Sequence, residues 1–85
     1  MFCVYVLESD KDGKSYTGFT KNIRQRLAKH NAGKVFSTKS RLPMRCIYIE
    51  CCLNEQDARQ RERYLKTGMG KRFIKQRLRH YFERV

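Results

Sequence analysis

Acidic residues are scarce in this sequence, tryptophan is absent and proline occurs once. Eight Asp plus Glu stand against twenty Lys plus Arg, a formal net charge of +12. Self-repulsion on that scale opposes compaction, so an anionic partner is the natural compensation. Nucleic acid fits best, because its phosphates form a dense line of negative charge. An anionic membrane fits less well, since no segment has the long apolar face an interfacial helix needs. One proline, five glycines and a hydrophobic fraction of 40% argue against disorder. The run "FCVYVL" holds six apolar residues before Glu8, too few for a signal core or a membrane span. Cys3, Cys46, Cys51 and Cys52 form no C-x-x-C pair, and neither His30 nor His80 has zinc-finger spacing to them. With no secretory signal, the expectation is four reduced, mostly buried thiols in a cytoplasmic protein.

What is present reads as one domain over residues 1–85 with a modest core, since a chain this short buries roughly two-thirds of its unfolded surface. Phe2 to Glu8 is continuously apolar, β-branched and aromatic, and predicts a buried strand. "SDKDGKS" supplies turn chemistry, and Ser15 to Phe19 predicts a second strand closing a hairpin. A helix is expected from about Lys21 to Ala32, capped by Thr20 or Asn22 and stopped at Gly33. Lys34 to Pro43 reads as a basic loop and Met44 to Cys52 as a third strand. Asn54 caps a second helix, which breaks at "GMG"; a last helix is expected from about Lys71 to Glu83. The order β-β-α-β-α-α predicts the α+β class, a small three-stranded, mainly antiparallel sheet flanked by helices.

Positions 23, 26, 27 and 30 share one side of the first helix, because residues three and four apart are neighbours. Arg26 and His30 therefore share the stripe of Ile23 and Leu27, facing the sheet. On the second helix Glu62 lies between Ala58 and Leu65. An inward carboxylate is costly unless paired or bound to a metal. These three polar groups aim toward a sheet that also bears Tyr5 and Tyr16. Spacing alone leaves two readings open, a structural Arg26–Glu62 ion pair or a catalytic constellation.

The same residues resemble the GIY-YIG nucleases. Cys3-Val4-Tyr5 stands for the first element and Tyr16-Thr17-Gly18 for the second. Arg26 follows Gly18 by eight positions, His30 comes one turn on, and Glu62 in "RQRERYLK" matches the family's acid. The first element lacks its glycine, Thr17 replaces isoleucine, Lys21 only approximates a lysine near the second element, and no asparagine follows Glu62. The resemblance covers nearly the whole chain and includes the catalytic modules of homing endonucleases and DNA-repair incision subunits.

The resemblance implies a metal-dependent endonuclease that hydrolyses DNA, with RNA left open as substrate. Tyr5, Tyr16, Arg26, His30 and Glu62 are the expected catalytic residues. Glu62 would hold one Mg²⁺, replaceable by Mn²⁺, with waters and phosphate completing the shell. Arg26 offers a forked, permanently charged donor to the scissile phosphate. A tyrosine acts as general base; its free pKa of about 10 must be depressed by nearby positive charge, and Tyr5 and Tyr16 are both open for the part. Gly18 is expected to allow close approach of backbone or substrate. Lys21, Lys34, Lys39, Arg41, Lys71, Arg72 and Lys75 are the expected nucleic-acid contacts. Six phosphate contacts would give a slope of about −5 for log affinity against log salt. No small-molecule cofactor is implied. The alternative is a binding module on the same fold that does not cleave.

Overall fold

The computed structural model describes residues 1–84, so Val85 of the expected domain lies outside the described residues. Three strands, β1 (Phe2–Ser9), β2 (Ser15–Thr20) and β3 (Met44–Cys52), are joined by α1 (Ile23–Asn31) and followed by α2 (Glu55–Leu65), α3 (Gly68–Arg77) and α4 (Arg79–Phe82). The sheet order is β2-β1-β3, antiparallel at both pairings. The class is α+β, as the element pattern predicts. β1 is central and covered on both faces, which is why its apolar run is unbroken.

Side chains alternate across that strand and build two half-cores. Val4 and Val6 pack with Ala58, Leu65 and Ile74 beneath α2 and α3. Tyr5 and Leu7 face the other way, with Met44, Tyr16, Ile23, Leu27 and Leu42 under α1 and the loop behind it.

Local chemistry sets the helix ends. Of the two candidate caps for α1, Asn22 does the work: its side chain accepts from Gln25 N–H, while Thr20 Oγ1 accepts from Asn22 N–H. Gly33 ends the helix at φ 72°, where its N–H reaches His30 C=O and Lys34 N–H reaches Lys29 C=O. Asn54 accepts from Gln56 and Asp57 N–H at the start of α2.

Two expectations are corrected. "GMG" is the first turn of α3, capped by Thr67 Oγ1 accepting from Gly70 N–H, and the expected single last helix is divided between α3 and α4. Gly70 backs directly onto the end of α2, a junction that only a residue without Cβ allows. The thiols also differ from the reduced, mostly buried set. Cys3 and Cys51 stand opposite each other on β1 and β3 and are joined by a disulfide, while Cys46 and Cys52 are free and half-buried. The antiparallel register creates this pairing across a sequence separation of 48.

Candidate active site

Tyr5 sits at the middle of the central strand, 0% exposed, on the α1 face. Its ring fits there because Gly18 is its partner on β2. A Cβ at Gly18 would lie 2.4 Å from both Tyr5 Cζ and Tyr5 Oη. The close approach expected of Gly18 is thus made by a tyrosine ring from the adjacent strand.

Arg26 and His30, one turn apart on α1, converge on the Tyr5 hydroxyl. Arg26 Nε–H donates to it at 3.2 Å, and His30 Nε2 lies 2.8 Å from it. The other ring nitrogen of His30, Nδ1, is 2.8 Å from Thr38 Oγ1. Thr38, fully buried in the loop after α1, is a member of the cluster that sequence reasoning missed. A short hydroxyl in a basic loop carries no local signal; only the fold of the loop back onto α1 reveals it. Tyr16 completes the group, its ring centroid 6.3 Å from Tyr5 and 5.3 Å from His30. Tyr16 and Arg26 are half-buried, whereas Tyr5 and His30 are sealed inside.

Burial raises the Tyr5 pKa above the usual phenol value, and the Arg26 hydrogen bond only partly opposes this. Burial, then the Arg26 charge, pushes His30 below its usual value. Arg26 is held still more firmly in its charged form, chiefly by its hydrogen bond to Tyr5. At neutral pH the cluster is therefore a neutral buried phenol, a neutral imidazole and a charged guanidinium.

Glu62 stands apart from these four. Its helix packs on the opposite face of the sheet, and among the described residues its charged partner is Lys66, 3.0 Å away. The structural reading of an Arg26–Glu62 ion pair is not realised; the two groups are on helices that cover different faces. The Glu62 side chain is 18% exposed. Among the described residues no three His, Cys, Asp or Glu side chains gather to hold a metal. A single half-sheltered carboxylate suits Mg²⁺, which keeps most of its water and takes phosphate oxygens, and does not suit a closed metal cage.

The basic candidates divide between the faces. Lys34 and Lys39 are exposed on the loop that carries Thr38, and Arg41 there is engaged with Asp12 Oδ2 at 3.0 Å. Lys21 reaches Glu55 at 3.7 Å. Lys71, Arg72 and Lys75 project from α3 on the other face, where Lys71 and Lys75 edge a cleft with Glu8. Among the described residues no helix is long and apolar enough to cross a membrane.

Sheet, hairpin and helix together define a small α+β domain built around a phenol, a guanidinium and an imidazole, with a strongly basic surface. Residues 1–77 match the GIY-YIG catalytic domain, and the chain belongs to that family. It is 46% identical over 63 residues to the UPF0213 protein of Bacillus licheniformis, covering 73% of this chain and 64% of the relative. It is 42% identical over 65 residues to that of Staphylococcus haemolyticus, covering 75% and 78% respectively. The UPF0213 protein of Streptococcus pneumoniae serotype 4 is 42% identical over 64 residues, covering 74% of this chain and 64% of the relative. This chain therefore spans less than two-thirds of two of these relatives. No solved structure matches it.

Proposed function

We propose that the chain is a one-domain, metal-dependent endonuclease that hydrolyses phosphodiester bonds of DNA. The observation that carries the reading is the convergence of Arg26 and His30 on Tyr5 beside half-exposed Tyr16. Exposure divides the labour between the tyrosines. Tyr5 is sealed and held protonated, so it orients its neighbours; half-buried Tyr16 is the tyrosine water can reach, and having first given its own proton to solvent it would, as phenolate, take one from the attacking water. Arg26 spends Nε–H on Tyr5, leaving its terminal NH₂ groups to grip the scissile phosphate and neutralise the charge that grows there. The water oxygen bonds to phosphorus, the ester P–O bond breaks, and the departing oxygen is protonated from solvent. Glu62 is the acid that would hold a single Mg²⁺ or Mn²⁺, whose chemistry would be to supply positive charge to a phosphate; on a helix that covers the other face of the sheet, it would do so from outside the Tyr5 cluster. Lys34 and Lys39 extend the positive surface beside the cluster, as Lys21, Lys71, Arg72 and Lys75 do farther away.

The test is incubation with supercoiled plasmid in Mg²⁺, Mn²⁺ and EDTA, alongside Arg26→Ala and Glu62→Ala. Metal-dependent nicking lost in both folded variants supports the reading. Loss of the Arg26 contact should slow cleavage by on the order of 10²–10³. Glu62→Ala should move the melting temperature only modestly, because an i,i+4 pair whose Lys66 end is solvent-exposed is worth about 0.3–0.5 kcal/mol. Gel shifts that survive EDTA, with no cutting of any DNA or RNA in any metal, would favour a binding module.

A further inference from the structure

We infer that Thr38 is a positioning residue: its hydroxyl donates to His30 Nδ1, fixes the imidazole proton on Nε2, and so turns the Tyr5 hydroxyl proton outward, to the side of Tyr16. The consequence for cleavage rests on the nuclease reading; the tautomer itself does not.

Three buried groups lie in line. Thr38 Oγ1 is 2.8 Å from His30 Nδ1, and His30 Nε2 is 2.8 Å from Tyr5 Oη. Thr38 and Tyr5 are 0% exposed and His30 is 1% exposed, so water does not settle the bookkeeping of protons. A neutral imidazole has one N–H and one bare nitrogen, which leaves two arrangements.

In the first, Tyr5 donates to Nε2 and Nδ1–H donates to Thr38. The Thr38 hydroxyl proton then needs an acceptor elsewhere. Among the described residues His30 Nδ1 is the one hydrogen-bond partner of that hydroxyl, so its proton would be stranded in the interior. In the second, Thr38 donates to Nδ1 and Nε2–H donates to Tyr5. The Tyr5 oxygen now accepts from both His30 and Arg26, whose guanidinium can only donate. Its own proton is left free to turn to the side of Tyr16, whose ring centroid is 6.3 Å from that of Tyr5. Thr38, both ring nitrogens of His30 and the Tyr5 oxygen are then engaged, and the one proton left over is on the side of half-buried Tyr16 instead of in the sealed interior around Thr38. The second arrangement is therefore the stable one.

That direction presents the Tyr5 hydroxyl proton on the Tyr16 side of the cluster, where the first would turn it inward toward His30. Loss of the Thr38 hydroxyl leaves the imidazole unpinned and the direction undefined, without removing any group that touches DNA.

The experiment is a long-range ¹H–¹⁵N correlation spectrum of the histidine rings of the full chain near pH 7.5, recorded without metal or DNA. His30 protonated on Nε2 is the expected result; protonation on Nδ1 overturns the inference. Thr38→Ser should keep that spectrum. In plasmid cleavage, Thr38→Val should lower kcat by on the order of 10² with KM for DNA unchanged, and Thr38→Ser should restore it. A folded Thr38→Val variant with wild-type kcat overturns the positioning role. If the wild-type chain cleaves nothing, the nuclease reading has failed, and the ring spectrum alone decides the tautomer.

Discussion

Gly18→Ala is the sharpest structural perturbation available in this domain. The added methyl would lie 2.4 Å from Tyr5 Cζ and Oη and 2.9 Å from Cε1. Comfortable carbon–carbon separations are about 3.5–4.0 Å, so the ring must withdraw by about 1 Å or more. It cannot do so freely, since it is 0% exposed and its hydroxyl is tied to both His30 and Arg26. Overpacking of this kind costs about 1–3 kcal/mol. Losing glycine's freedom in the unfolded chain returns about 0.4–1 kcal/mol. The net loss is about 1–2 kcal/mol, a fall in Tm of roughly 5–15 °C for a domain of this size. Urea and thermal unfolding followed by circular dichroism would measure it. A double-mutant cycle isolates the cause. In a Tyr5→Leu background the ring is gone, and Gly18→Ala should become close to neutral, giving a coupling of about 1–3 kcal/mol. A Gly18→Ala variant as stable as the parent, or a cycle without coupling, would refute the packing of Tyr5 over Gly18.

Other outcomes follow from the same structure. His30 has a folded pKa below its ordinary value, so the unfolded chain binds that proton more readily. Its contribution to stability is complete above about pH 6.5 and declines as the pH falls below that value toward the folded pKa. Melting temperatures between pH 8 and 5 should therefore drop on acidification, and less steeply in His30→Gln. Gly70→Ala should be harsher than Gly18→Ala, at about 3 kcal/mol or more. Its Cβ would meet backbone, Leu65 Cα at 2.5 Å and the Tyr64 carbonyl oxygen closer still, and no rotamer offers an escape. Chemical denaturation with and without dithiothreitol tests the Cys3–Cys51 bridge. For a separation of 48 residues, loop-closure entropy predicts a loss of about 4 kcal/mol on reduction; identical curves would show that the bridge does not constrain the chain.

Much of the architecture was legible from short-range pattern. The unbroken apolar run from Phe2 announced a strand covered on both faces, and it is the middle strand. Asn54 marked a helix start, and Gly33 a helix end, by chemistry that acts within one turn. Helical periodicity likewise placed Arg26 and His30 on the sheet-facing side of α1. These features depend on neighbours a few residues away, which is the range over which capping, periodicity and turn preference operate. Other features depend on register and layering. Cys3 meets Cys51 because β1 and β3 pair at that offset, and Thr38 meets His30 because a loop folds back under α1. Glu62 belongs to a helix on the far face, although its periodicity resembles that of Arg26. Inward-facing is a property of one helix; facing the same interior is a property of two elements and the sheet between them. Composition and spacing carry the first kind of information. The second arises only when distant segments exclude water from a common surface.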